Sequence, residues 1–162
     1  MNARWLAGAL LLHSALALGQ PLDKASTHEL IEKLTPPAAG TRSLRNLTPK
    51  LVTVDLSVQF DFDSARLLPA SKPLLDNLAS AMNSERLSTL HFRVEGHTDA
   101  KGRADYNLQL SKRRAQAVLE YLSQQQVARV RLQAEGLGST QLLLPERPEA
   151  GENRRVRITV LP

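Results

Sequence analysis

The chain has 162 residues, no cysteine and a formal net charge of +5, with a sequence pI near 10.0. That length suits one domain of ordinary size. The missing cysteines exclude a disulfide-stapled scaffold, and an aromatic share of 4% leaves few of the stacking platforms that single-strand nucleic-acid readers use.

Residues 1–19 carry Arg4, then an apolar run from Trp5 to Leu12, then small residues at Ala15, Ala17 and Gly19. This is the order of a secretory signal peptide. His13 and Ser14 interrupt the run, which falls short of the roughly 20 apolar residues that a spanning helix needs. Loss of the segment removes one positive charge, Arg4, and no acid. The expectation is a periplasmic protein with no transmembrane segment in the mature chain and no N-terminal cysteine to carry a lipid. Outer-membrane association would then run through a partner. Export argues against nucleic acid as the acidic partner that the basic balance favours, whereas a polyanionic cell-wall matrix fits it.

Residues 20–50 contain Pro21, Pro36, Pro37, Gly40 and Pro49, with weak helical pattern over 28–34. They read as a linker or loosely docked arm, and as the segment through which an envelope protein partner would bind. Residues 51–162 read as one domain.

Between Val52 and Phe62, apolar Val52, Val54, Leu56, Val58, Phe60 and Phe62 alternate with polar residues. The same alternation recurs over 90–95, 129–135 and 155–160. Each strand is apolar on one face and polar on the other. That pattern suits a sheet covered by helices on one side and wet on the other. One helix is expected from near Pro69 to Met82, with Leu74, Leu75, Leu78 and Met82 as its stripe. A second is expected from Asp105 to Gln125. The fold class is therefore α+β: a two-layer sandwich in the order β-α-β-α-β-β, with a four-stranded mixed sheet and helices on one face.

On the second helix, at about 100° per residue, Leu108, Leu110, Ala115, Ala117, Val118, Leu119, Tyr121 and Leu122 fill one arc. Arg113 falls among the polar residues. Arg114 falls inside the apolar arc, beside Ser111. A guanidinium there must find a partner or face an opening, because an unpaired buried charge is costly. A structural ion pair or a snorkelling stem accounts for it as readily as a ligand-facing cation at a cleft. Asp99 stands in the turn that leads into this helix, and Gly102 lets that turn fold back tightly. An acceptor-only anion and a forked cation on opposite walls would recognise an amino-acid headgroup.

Six stretches carry a family resemblance: F-D-F-D-S at 60–64, E-G-H-T-D at 95–99, Y-N at 106–107, L-S-x-x-R-A at 110–115, G-x-G at 136–138 and N-R-R-V at 153–156. Together they resemble the OmpA-like C-terminal domain, a family that includes peptidoglycan-associated lipoproteins and the periplasmic part of flagellar stator subunits. The resemblance covers about residues 51–161. It implies non-covalent binding of peptidoglycan through the diaminopimelate of the stem peptide, tethering the envelope to the wall. Asp99 would anchor the ligand's ammonium and Arg114 its carboxylate. Thr98, Asn107, Leu110, Asp61, Asn153 and Arg154, in or beside the same motifs, join them as candidate ligand-binding residues. The alternative is an interaction module that docks an envelope or secretion complex onto the wall.

Other patterns weigh less. Glu95, His97 and Asp99 alternate, but only His97 is a strong metal ligand, and zinc wants three or four. His97 is expected to orient the turn by hydrogen bonding. Asp61 and Asp63 should share one strand face, yet no nucleophile or oxyanion donor accompanies them. No catalytic residue, metal or cofactor is therefore assigned. Leu142, Leu143 and Leu144 either pack onto the end of the sheet or offer a partner surface.

Overall fold

The computed structural model describes residues 19–37 and 51–162. The signal-peptide segment, apart from Gly19, lies outside the described residues, as do residues 38–50. Three helices and four strands follow in the order α1 (Thr27–Leu34), β1 (Thr53–Leu56), α2 (Lys72–Met82), β2 (His91–His97), α3 (Ala104–Gln124), β3 (Leu132–Gly138) and β4 (Val156–Leu161). The sheet order is β1-β4-β2-β3. β2 and β3 run parallel, while β4 is antiparallel to both β1 and β2. This is the expected α+β sandwich with a mixed sheet, preceded by one helix, α1, where the sequence shows only a weak helical pattern over 28–34.

The helices pack on one face of the sheet. Val54, Leu56, Phe92, Val94, Ile158 and Val160 meet Leu74, Leu75, Leu78, Val118 and Leu122 in one core. Glycine sets how closely α3 can approach. Gly96 of β2 and Gly136 of β3 are register partners, and a Cβ on either would clash with the α3 backbone at Ser111 or Lys112. The helix therefore lies directly on the sheet at this point.

Four expectations change. Residues 20–50 read as a linker or loosely docked arm, but within the described part Leu22 bridges to Leu56, and Ala25, just before α1, joins Leu30 and Leu34 of α1 in the core. Ser26 caps this helix by accepting from the N–H of Glu29, and Asn77 of α2 donates to the carbonyl of Ala25 at 2.9 Å. Pro21, Pro36 and Pro37 flank the helix rather than break it.

The strand expected over 52–62 ends at Leu56. Residues 59–68 instead form a narrow loop in which Phe60 bridges to Leu67, and Asp63 takes a positive φ of 50°. Asp61 and Asp63 therefore sit on a loop, not on a strand face.

The strand expected over 129–135 starts only at Leu132, and Val130 is exposed. Arg131 turns inward there, where its guanidinium donates to the carbonyls of Leu90, Met82 and Leu87 at 2.8–2.9 Å. Satisfying these three acceptors outweighs the strand alternation.

Finally, the outer face of the sheet is not uniformly wet. Glu95, Arg155 and Thr159 are buried there. Arg155 and Arg157 both donate to Asp55 at 2.9–3.1 Å, and Thr159 donates to Glu95 at 3.1 Å. In the loop of 139–152 Leu144 is the most buried of the three leucines, and its N–H donates to Asn153.

Candidate functional site

The turn after β2 is braced from several sides. Asp99 accepts from the N–H of Lys101 at 3.1 Å, closing a local side-chain turn. Gly102 follows at φ +89°, the left-handed geometry that the fold-back requires. Asn107, in the first turns of α3, is buried and donates to the carbonyls of Lys101 at 2.9 Å and Asp99 at 3.3 Å. Thr98 donates its hydroxyl to the carbonyl of Asp99, and the N–H of Ala100 bonds to Pro148. Asp99 is thus held in place by its own backbone, and its side chain is 13% exposed.

Beside this turn opens a cavity of about 590 Å³. Asp99, Thr98 and Asn107 line one side. Leu110 and Arg114 of α3 line another, with Arg154 at the edge. The loop of 59–68 closes the cavity with Phe60, Asp61, Phe62 and Asp63. Seven of the eight candidate residues therefore share one hollow. Asn153 does not. It is fully buried, accepts from the N–H of Leu144 at 2.8 Å and donates to the carbonyls of Arg147 and Pro148. Its amide is spent on shaping the loop of 139–152, which in turn supports Ala100.

Arg114 emerges from the apolar arc as the wheel requires. Its Nε donates to the carbonyl of Ser64 at 2.9 Å, and its guanidinium lies 4.9 Å from the centre of the Phe60 ring. No carboxylate pairs with it among the described residues. Burial, and after it the charge of Arg154, pulls its pKa below the ordinary value, while Tyr106, Asp63 and Asp99 oppose that shift. Arg154 is the cation that Asp99 already holds, through Nη1 to Oδ2 at 2.6 Å. The other two acids are also engaged: Arg66 donates to Asp61, and the Tyr106 hydroxyl donates to Asp63. The hydrogen bond from Arg66 holds the Asp61 carboxyl below its usual range, and Asp63 pushes the Tyr106 phenol up.

Phe60, Ser64 and the Tyr106–Asp63 pair line the cavity or contact Arg114, and the alternation pattern hides them. It places Phe60 on a strand face, and nothing in it shows that the chain turns back at Asp63. His97 also departs from expectation. Its ring is buried with neither nitrogen hydrogen-bonded, and Glu95 is its nearest acid at 3.8 Å. It therefore does not orient the turn by hydrogen bonding. Burial is the main reason that its pKa is lowered, with Arg155 and Arg157 adding to the effect against Glu95. Among the described residues no three His, Asp or Glu converge as a metal site, and no helix is long and apolar enough to cross a membrane.

Comparison with known proteins takes in the cavity and the elements that surround it. Residues 59–156 match the OmpA family. The chain is 38% identical over 113 residues to outer membrane porin F of Pseudomonas fluorescens, covering 68% of this chain and 34% of that protein. It is 35% identical over 104 residues to outer membrane protein A of Bordetella avium, covering 63% and 53%. It thus spans about a third to a half of the length of these relatives. Two solved structures share the fold. The peptidoglycan-associated lipoprotein from Burkholderia pseudomallei is 31% identical with a TM-score of 0.54, over 64% of this chain and 86% of that one. The cell wall anchor of the T6SS from Pseudomonas aeruginosa is 29% identical with a TM-score of 0.56, over 67% and 80%. With the match spanning most of the sandwich and the motif residues gathered at one cavity, the chain belongs to the OmpA family.

Proposed function

We propose that the protein binds peptidoglycan non-covalently, gripping the free zwitterionic end of diaminopimelate in the stem peptide. The observation that carries this reading is the shared cavity, with Asp99 on one wall and, on the other, an Arg114 that no carboxylate neutralises among the described residues. A carboxylate entering there supplies the missing anion, and the planar fork can receive it in bidentate fashion. The ligand's ammonium, on the same carbon, then faces Asp99. Thr98, Asn107 and Leu110 shape the walls, and Asp61 borders the entrance. The work assigned to the site is holding, not bond breaking.

Membership of the family and the names of the relatives support an envelope role: a wall-associated periplasmic protein that tethers other envelope components. In the alternative role, docking an envelope or secretion complex onto the wall, residues 20–50 would bind the partner. Leu22, Ala25, Leu30, Ile31 and Leu34 face the core, so that partner would meet the exposed side of α1 or the rest of the segment.

Retention on purified sacculi tests the site. Asp99→Ala or Arg114→Ala should each cost about 2–5 kcal/mol of binding, because each strands an opposite charge. Retention of both variants at wild-type level would overturn the assignment. Release of soluble muropeptides by the wild type would replace binding with cleavage.

A further inference from the structure

Arg114 and Arg154 face the same cavity but are held differently. Arg114 is fixed by Ser64 and Phe60. Arg154 is 53% exposed and bonds through its side chain to Asp99. Its other Nη lies over Gly151, where an added Cβ would sit only 3.0 Å away, so the glycine leaves the guanidinium room. The two cations repel across the hollow, since the charge of Arg154 disfavours that of Arg114.

We propose that Arg154 sets the specificity of the site by changing carboxylate partner: Asp99 when the cavity is empty, the ligand's carboxylate when it is filled. This rests on the diaminopimelate reading above. A bare ammonium that approaches Asp99 must break the 2.6 Å ion pair, and it leaves Arg154 and Arg114 facing each other with a third cation between them. A zwitterion brings an anion of its own. That carboxylate takes up both guanidiniums, while the ammonium inherits Asp99. The exchange leaves every cation facing a carboxylate, so the barrier falls on amines and not on amino-acid headgroups. Discrimination of this kind separates a diaminopimelate side chain from a lysine side chain, which ends in an ammonium alone.

Calorimetric titration of the full chain tests the exchange with two probes blocked alike at one end: Nα-acetyl-lysine amide and the corresponding singly blocked diaminopimelate. Wild type should favour the diaminopimelate probe by well over about tenfold. Arg154→Gln frees Asp99, so the lysine probe should bind more tightly than to wild type while the diaminopimelate probe binds more weakly. The preference should shrink to a few-fold, and Arg154→Lys should restore part of it. An unchanged preference in Arg154→Gln, with wild type binding the diaminopimelate probe and Arg114→Ala losing it, would overturn the exchange and leave the site standing. No binding of that probe by wild type would overturn both.

Discussion

On the outer face of the sheet, Arg155 is fully enclosed and donates to Asp55, to the carbonyl of Asn153 and to that of Gln141. At the end of β2, Arg114 is half-buried, with a carbonyl and a ring for company. Both are arginines in places where the fold leaves little water. The difference lies in what remains unsatisfied. Around Asp55 each guanidinium has its acid, so that region can only hold the sheet together. In the cavity Arg114 has no carboxylate partner among the described residues, so that region can accept something more. A buried arginine is therefore a poor marker of function by itself, and its unused hydrogen-bonding capacity is the better one.

Substitutions can pull these two regions apart. Arg155→Met should have the largest effect, about 3–5 kcal/mol of stability, because Asp55 and two carbonyls lose a buried partner. Urea unfolding reads it, and ligand affinity among the still folded molecules should change little. Arg114→Ala should do the reverse, costing about 2–5 kcal/mol of ligand binding while the urea midpoint stays near wild type. If both variants lost stability alike, the contrast between the regions would collapse. Gly96→Ala should fall between them in character. Its methyl meets the Ser111 carbonyl, so α3 must lift, with a stability loss of about 1–3 kcal/mol and a smaller loss of affinity as Arg114 moves from Asp99.

The smallest expected effect is on pH. His97 is held below its ordinary value of 6.5 by burial, so the unfolded chain takes up a proton before the folded one does. Stability is then complete above about 6.5 and declines as pH falls below it. Glu95 acts in the same sense at lower pH. Burial tends to raise its pKa, but His97, Thr159 and Arg157 together hold it below 4.5. Melting temperatures measured from pH 7 to pH 5.5 should drop for wild type and stay flatter for His97→Gln.

Much of the sandwich is visible in the amino-acid order, because α2, α3 and three of the strands carry clean apolar periods. Asp99 and Arg114 are visible too, one by its place before a glycine turn and the other by standing in an apolar arc. The rest depends on partners distant in sequence. Leu30 and Leu34 enter the core only because α2 waits to receive them. Asn153 belongs with the ligand residues by position, yet its amide is consumed by Leu144, Arg147 and Pro148. Arg131 reads as a strand residue until three carbonyls claim it. Short-range pattern shows which face a residue takes, whereas tertiary hydrogen bonding decides how its polar atoms are used.

The place of β2 in the sheet has a mechanical meaning. It is bonded on both sides, to β4 and to β3, and Asp99 hangs from the end of it. Tension applied through an anchored polymer would enter the protein along the axis of this strand. It would load two hydrogen-bonded ladders in shear, many bonds at once, instead of peeling an outer strand away one bond at a time. Arg114 passes its share to α3, which is seated on the glycines of β2 and β3. Under the binding proposed above, a grip built on these elements would resist a pull along that axis.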